Sequence, residues 1–126
     1  MSKWQNDSML DAALNYVADN GAQLDVVSDT ETPIDLSGSL ASTALTVGAG
    51  NGDYTLDDGD TSGRKLIIAQ QAGINVDASG DANHIVISDG GSPATLYLVT
   101  TCTTQTLTSG NTVTVPSFED EIADAS

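Results

Sequence analysis

Thr95-Leu-Tyr-Leu-Val-Thr-Thr-Cys-Thr-Thr-Gln-Thr-Leu-Thr-Ser-Gly-Asn-Thr-Val-Thr-Val115 decides the fold class. Branched Thr and Val fit a pleated surface, so Thr95–Thr101, Gln105–Thr108 and Thr112–Val115 read as strands, with Ser109-Gly-Asn111 as the turn before the last. Val113 and Val115 flank Thr114, the alternation of a strand with one wet face. The Thr-rich centre, Thr100 to Thr108, has low complexity but strong strand preference.

The same rhythm extends upstream. Gln23–Ser28, Leu40–Val47, Asp53–Leu56, Lys65–Gln70, Ile74–Asp77 and His84–Ser88 read as strands, and so does Phe118–Ile122 downstream. Gly48-Ala-Gly-Asn-Gly52, Asp57-Asp-Gly-Asp60, Ser79-Gly-Asp81 and Asp89-Gly-Gly-Ser92 punctuate them. Asp29–Gly38 reads as a polar connection containing Pro33. Turns at this spacing predict a mainly β, antiparallel sandwich or barrel-like domain. Leu66-Ile-Ile-Ala69, Ile85-Val-Ile87 and Leu96-Tyr-Leu-Val99 are apolar on both faces. Such runs are either central strands or surfaces that pair with another chain, and for Leu66–Ala69 a central strand covered by a helix is expected.

One helix is expected, over residues 7–20. Leu10, Ala13, Leu14 and Val17 follow the i, i+3, i+4, i+7 spacing of one apolar face. Asp7 or Ser8 is the expected N-cap, with Asp11 completing a capping box, and Asn20-Gly21 the expected left-handed stop. A chain of 126 residues then reads as a single domain, residues 7–20 the helix and 23–124 a β-rich body.

Composition narrows the function. Eighteen acids against three bases give a formal net charge of -15. That surface repels nucleic-acid phosphates and anionic membranes, both bound mainly through Lys and Arg. No apolar run reaches the length of a membrane span, and the first residues lack the apolar core of a secretory signal. Synthesis in a cytoplasm is the expectation. Cys102 is the only cysteine, which excludes an intrachain disulfide and a cysteine-based zinc site.

Catalytic constellations are sparse. A hydrolytic triad needs a histidine base, and His84, the one histidine, opens an apolar strand. Cys102 lies among threonines with no base nearby in sequence. Paired carboxylates for glycoside hydrolysis would need an aromatic-lined groove, which five aromatic residues hardly furnish. The Gly-rich stretches lack the Lys-Ser/Thr ending of a phosphate loop. No enzyme and no cofactor are expected. For a metal, Asp53, Asp57, Asp58 and Asp60 are the candidates, since calcium takes oxygen ligands from flexible loops. Their spacing matches no EF-hand, and solvated turn acids are the competing explanation. Arg64 and Lys65 are expected to pair with acids, internally or on another subunit.

Several segments resemble small structural proteins of tailed bacteriophages: Asp11-Ala-Ala-Leu-Asn-Tyr-Val-Ala-Asp-Asn20, Asp58-Gly-Asp-Thr-Ser-Gly-Arg-Lys65, Val76-Asp-Ala-Ser-Gly80, Leu98-Val-Thr-Thr-Cys-Thr103, Leu107-Thr-Ser-Gly-Asn-Thr-Val113 and Glu121-Ile-Ala-Asp124. The likeness spans most of the chain and is least over Asp29–Gly50. It implies a capsid decoration or cement protein, a virion component on the outer surface of the head that binds the major capsid protein, copies of itself, or both, as an oligomer. It supplies no catalytic residues. Trp4 with the helix face, and the Arg64-Lys65 corner, are the expected contact regions. A tail or head-fibre component and a calcium-dependent carbohydrate-binding or adhesion module are the alternatives.

Overall fold

A computed structural model describes residues 6–28, 36, 38–91 and 93–122. Trp4, Pro33 and Asp124 fall outside these residues. In chain order the elements are α1 (Asp7–Asn20), β1 (Gln23–Val27), β2 (Ser39–Ala44), β3 (Tyr54–Asp58), β4 (Arg64–Ile68), β5 (Gln71–Asn75), β6 (Gly80–Ser88), β7 (Leu96–Leu107), β8 (Thr112–Val115) and β9 (Phe118–Ile122). The fold is mainly β with one N-terminal helix, and every strand pair is antiparallel. Among the described residues the sheets are open, and none closes into a barrel.

The chain forms two compact units that interleave in sequence. The first comprises the described residues of Met1–Asn20, Thr46–Gln70 and Pro116–Ser126; the second comprises those of Gly21–Leu45 and Gln71–Val115.

In the first unit, β3, β4 and β9 form a three-stranded sheet with β4 in the centre. The helix packs on β4 and β3, burying Leu10, Leu14, Val17 and Ala18 with Tyr54, Leu66 and Ile68 of the sheet. This is the helix-covered central strand expected for Leu66–Ala69, although Ile67 faces away and is only half-buried. The helix ends differ from expectation. Asn6, not Asp7 or Ser8, is the N-cap: its side-chain oxygen accepts from the Ser8 N–H at 2.8 Å, and its carbonyl accepts from Met9 and Leu10. Asp11 turns instead toward Arg64. At the other end Gly21 does not adopt a left-handed conformation. Two donors cover the last carbonyls: the Asn20 side-chain amide on Tyr16 at 2.8 Å and the Gly48 N–H on Ala18 at 2.8 Å. A donor arriving from a distant loop leaves no need for a glycine cap.

In the second unit, four strands run in the order β2-β1-β6-β7, and β5 pairs with β8. The two sheets adjoin at β2 and β5, where Ala41 bridges Val76, and the arrangement is sandwich-like. Central β1 and β6 are buried on both faces: Leu24 and Val26 share one face with their partners Ile87 and Ile85, and Val27 and Val86 lie on the other. Ile85-Val-Ile87 is therefore a central strand. Leu96–Val99 lies in the edge strand β7. That strand is continuous from Leu96 to Leu107, where the sequence suggests two. Its pairing with β6 shifts between Ala82 and His84, so residues 102–104 bulge opposite Asn83. The break anticipated after Thr101 is this bulge.

Candidate functional site

Charge is concentrated at one corner of the first unit. Between β3 and β4 the chain turns through Asp57-Asp-Gly-Asp-Thr-Ser-Gly63. The Gly59 N–H donates to the Gly63 carbonyl at 3.0 Å, and Gly63, at a φ of 73°, takes a backbone shape that a side chain would strain. A Cβ on Gly59 would collide with the Ser62 carbonyl. The turn delivers Asp58 and Asp60 to the two cations that open β4.

Arg64 Nε donates to Asp11 Oδ1 of α1 at 2.8 Å, and its Nη1 to Asp58 Oδ1 at 2.7 Å. Lys65 Nζ donates to Asp60 Oδ1 at 2.8 Å and to Glu119 Oε1 of β9 at 3.2 Å. Hydrogen bonds to Asp11 and then Asp58 raise the Arg64 pKa; those to Asp60 and then Glu119 raise that of Lys65. Both cations thus pair inside their own unit, the internal form of the expectation.

The four calcium candidates do not converge. Glycines 48, 50 and 52 all have positive φ, which curls the loop so that Asp53 Oδ2 accepts from the Thr46 N–H at 2.6 Å. Asp57 accepts from the Asp58 N–H at 2.8 Å, while Asp58 and Asp60 hold Arg64 and Lys65. A different group does gather: carboxylate oxygens of Asp60, Glu119 and Glu121 lie within 4.8 Å of one another, all on exposed residues. Sequence reasoning misses this group because Asp60 and Glu121 are 61 positions apart, brought together by β4–β9 pairing. The Lys65 ammonium already bonds two of its members, which works against a second cation there.

His84 Nδ1 is 2.8 Å from Asn83 Oδ1, and His84 pairs across the sheet with Val27 and Thr101. Cys102 is half-buried in β7, where desolvation raises its thiol pKa. At neutral pH it stays protonated and is a poor nucleophile. In the second unit Asp25 is 3% exposed. It accepts from the Gln23 amide and the Ser39 hydroxyl, each at 2.6 Å, two short bonds that satisfy a buried carboxylate. Nothing in the sequence pattern singles it out, since it sits in register with Val86 within an apolar strand.

The remaining feature of note is a sheet edge. β7 is the longest strand, and Leu96–Leu107 carries neither a charge nor a proline. Val99 is exposed, and so are Thr101 and residues 103–106. Among the described residues its only strand partner is β6.

Among the described residues, no helix is long and apolar enough to cross a membrane. Compared with known proteins, the chain matches no family model, no curated protein and no solved structure.

Proposed function

We propose that this protein is a structural component of a tailed-phage virion, a decoration or cement protein that binds the outer surface of the head shell and stabilises it. The observation that carries this reading is β7, a long uncharged strand that is the last of its sheet among the described residues and of a kind suited to bonding the main chain of another protein. The sequence likeness to small phage structural proteins points to the same class of role. Binding, not catalysis, is the activity assigned, and no cofactor is assigned with it. The acidic surface disfavours nucleic acid and anionic membrane as partners and favours a basic protein face. The mechanism is additive. Each copy bridges neighbouring capsid subunits, alone or as part of a homo-oligomer, and many modest interfaces together resist the pressure of packaged DNA.

Copy number tests it. Quantitative mass spectrometry of purified particles is expected to find the protein at about one copy per major capsid protein, or at a simple symmetric fraction of that. A dozen or fewer copies would move the protein to a tail or head fibre, and absence from particles would end the structural reading.

A second reading, a calcium-dependent adhesion module, draws on the Asp60, Glu119 and Glu121 carboxylates. Calorimetry with calcium separates it: heat that disappears in an Asp60→Asn variant would favour it over the virion role.

A further inference from the structure

Four glycines of the chain follow an Asn or Asp: Gly21, Gly52, Gly59 and Gly90. Such a step can react with itself, because the glycine backbone nitrogen can attack the side-chain carbonyl carbon of the residue before it. Glycine puts no Cβ in the way and leaves the backbone free to turn. The attack needs a nitrogen that no other bond engages.

Three of the four steps are constrained. The Gly59 N–H donates to the Gly63 carbonyl at 3.0 Å, and the Gly90 N–H to the Ser88 hydroxyl at 3.2 Å. Asn20 lies in the last turn of α1 with its amide on the Tyr16 carbonyl at 2.8 Å, and Gly21 is buried. Asn51-Gly52 differs. Among the described residues the Gly52 N–H donates to nothing. Gly52 sits at a φ of 115°, with open space around the place of its missing side chain, and both residues are exposed.

The loop around this step holds the end of the helix. The Gly48 N–H donates to the Ala18 carbonyl at 2.8 Å, and Asp53 Oδ2 accepts from the Thr46 N–H at 2.6 Å. Asn51 Nδ2 donates to the Val47 carbonyl at 3.0 Å, reaching over Gly48, where a Cβ would collide with it. That bond is exposed, so water replaces it at small net cost.

We propose that Asn51-Gly52 is a self-modification site, at which Asn51 converts to aspartate and isoaspartate through a succinimide and thereby loosens the loop that caps α1. The Gly52 nitrogen loses its proton to a solvent base and bonds to Cγ of Asn51. The Cγ–Nδ2 bond then breaks, and Nδ2 leaves as ammonia with a proton from water. Water opens the ring at either carbonyl, giving aspartate or isoaspartate, and is the only co-reactant. Conversion adds one negative charge to a chain already at -15. It removes the Nδ2 donor and sets a carboxylate against the Val47 carbonyl, and in isoaspartate it lengthens the main chain by one methylene. Each change works against the Gly48 cap. The conversion is independent of the virion role and is read in solution.

The test ages the full chain in mildly alkaline buffer, folded in one arm and in urea in the other, and follows each asparagine by peptide mass spectrometry. In urea Asn20 and Asn51, both followed by glycine, are expected to convert at similar rates. In the folded chain Asn51 is expected to convert at least about tenfold faster than Asn20, the factor that one hydrogen bond left unbroken supplies. Its rate is expected to rise with pH, since the attacking nitrogen must lose its proton. Asn51→Gln, whose longer side chain closes a larger and slower-forming ring, is expected to keep its amide. In aged protein and in Asn51→Asp, the Gly48 N–H is expected to exchange faster with solvent. Folded Asn51 as slow as folded Asn20, or conversion seen only in urea, would overturn the site. Unchanged exchange at Gly48 after conversion would overturn its effect on the helix cap.

Discussion

The two units handle charge in opposite ways. Among the described residues the helix-backed unit holds both bases, Arg64 and Lys65, and ten acids, whereas the sandwich-like unit holds four acids and no Lys or Arg. In the first, Arg64 and Lys65 stand side by side at the start of the central strand, and each gathers two carboxylates from different elements. In the second, the described acids sit at strand ends or in turns, except for Asp25, buried and held by neutral donors. The edge strands repeat the contrast. β9, Phe118-Glu-Asp-Glu-Ile122, carries three acids in five residues, a guarded edge. β7 carries none in twelve. An acid-rich chain can therefore neutralise charge locally, or keep it out of one region and leave that region bare.

The largest effects belong to what the units share, an aliphatic core. Leu66 and Ile87 are both 0% exposed, and replacing either by Ala is expected to cost about 2–5 kcal/mol in urea unfolding. Similar losses would place the contrast in electrostatics; a much smaller loss in one unit would show that packing differs as well.

Next is Asp25. Asp25→Ala removes two short bonds and leaves the Ser39 hydroxyl and Gln23 amide without this acceptor, an expected loss of about 1–3 kcal/mol. Because its donors are neutral, the loss is expected to be nearly the same at low and high salt. A strong salt dependence would mean that this carboxylate senses distant charge after all.

Alkaline pH separates the units more gently. Burial, and then the Asp53 charge, push the Tyr54 pKa up to about 12. A folded pKa above the unfolded value of about 10 means that stability is fully present below pH 10 and is lost as pH rises toward 12. The raised Lys65 pKa acts with the same sign. Both groups belong to the helix-backed unit, so Tyr54→Phe is expected to flatten the alkaline fall in melting temperature. An unchanged fall would assign it elsewhere.

The smallest effect expected is at the ion-paired corner. Arg64→Met and Lys65→Met are expected to lower the melting temperature modestly at low salt and less at high salt, since screening weakens exposed pairs. No loss at low salt would show that the pairs merely offset the desolvation of the two cations.

The strands, the single helix and most turns were legible in the residues. Val113 and Val115 about Thr114 mark a strand with one wet face, and both valines are buried while Thr114 is exposed. Of the expected helix stripe Leu10, Leu14 and Val17 are buried, whereas Ala13 is exposed and Ala18 is buried in its place. Helix caps were less legible, because several nearby polar residues can serve and packing chooses among them. Asp11, a plausible member of a capping box, goes to Arg64, 53 positions away. The candidate carboxylates divide in the same manner. Asp53–Asp60 are close in sequence, but local turns give each its own donor, whereas Asp60, Glu119 and Glu121 meet only through strand pairing.

The sequence by itself determined the mainly β, antiparallel class, the acidic surface and the absence of charge from β7, because periodicity, turn chemistry and composition are local properties. Tertiary structure alone decided which of the described strands lie at edges, which acids meet the two cations, and that the β2 edge of the four-stranded sheet is covered by Asp77 and Ala78. Those outcomes follow from hydrogen bonds and packing between residues far apart in the chain, and no local pattern encodes such a pairing.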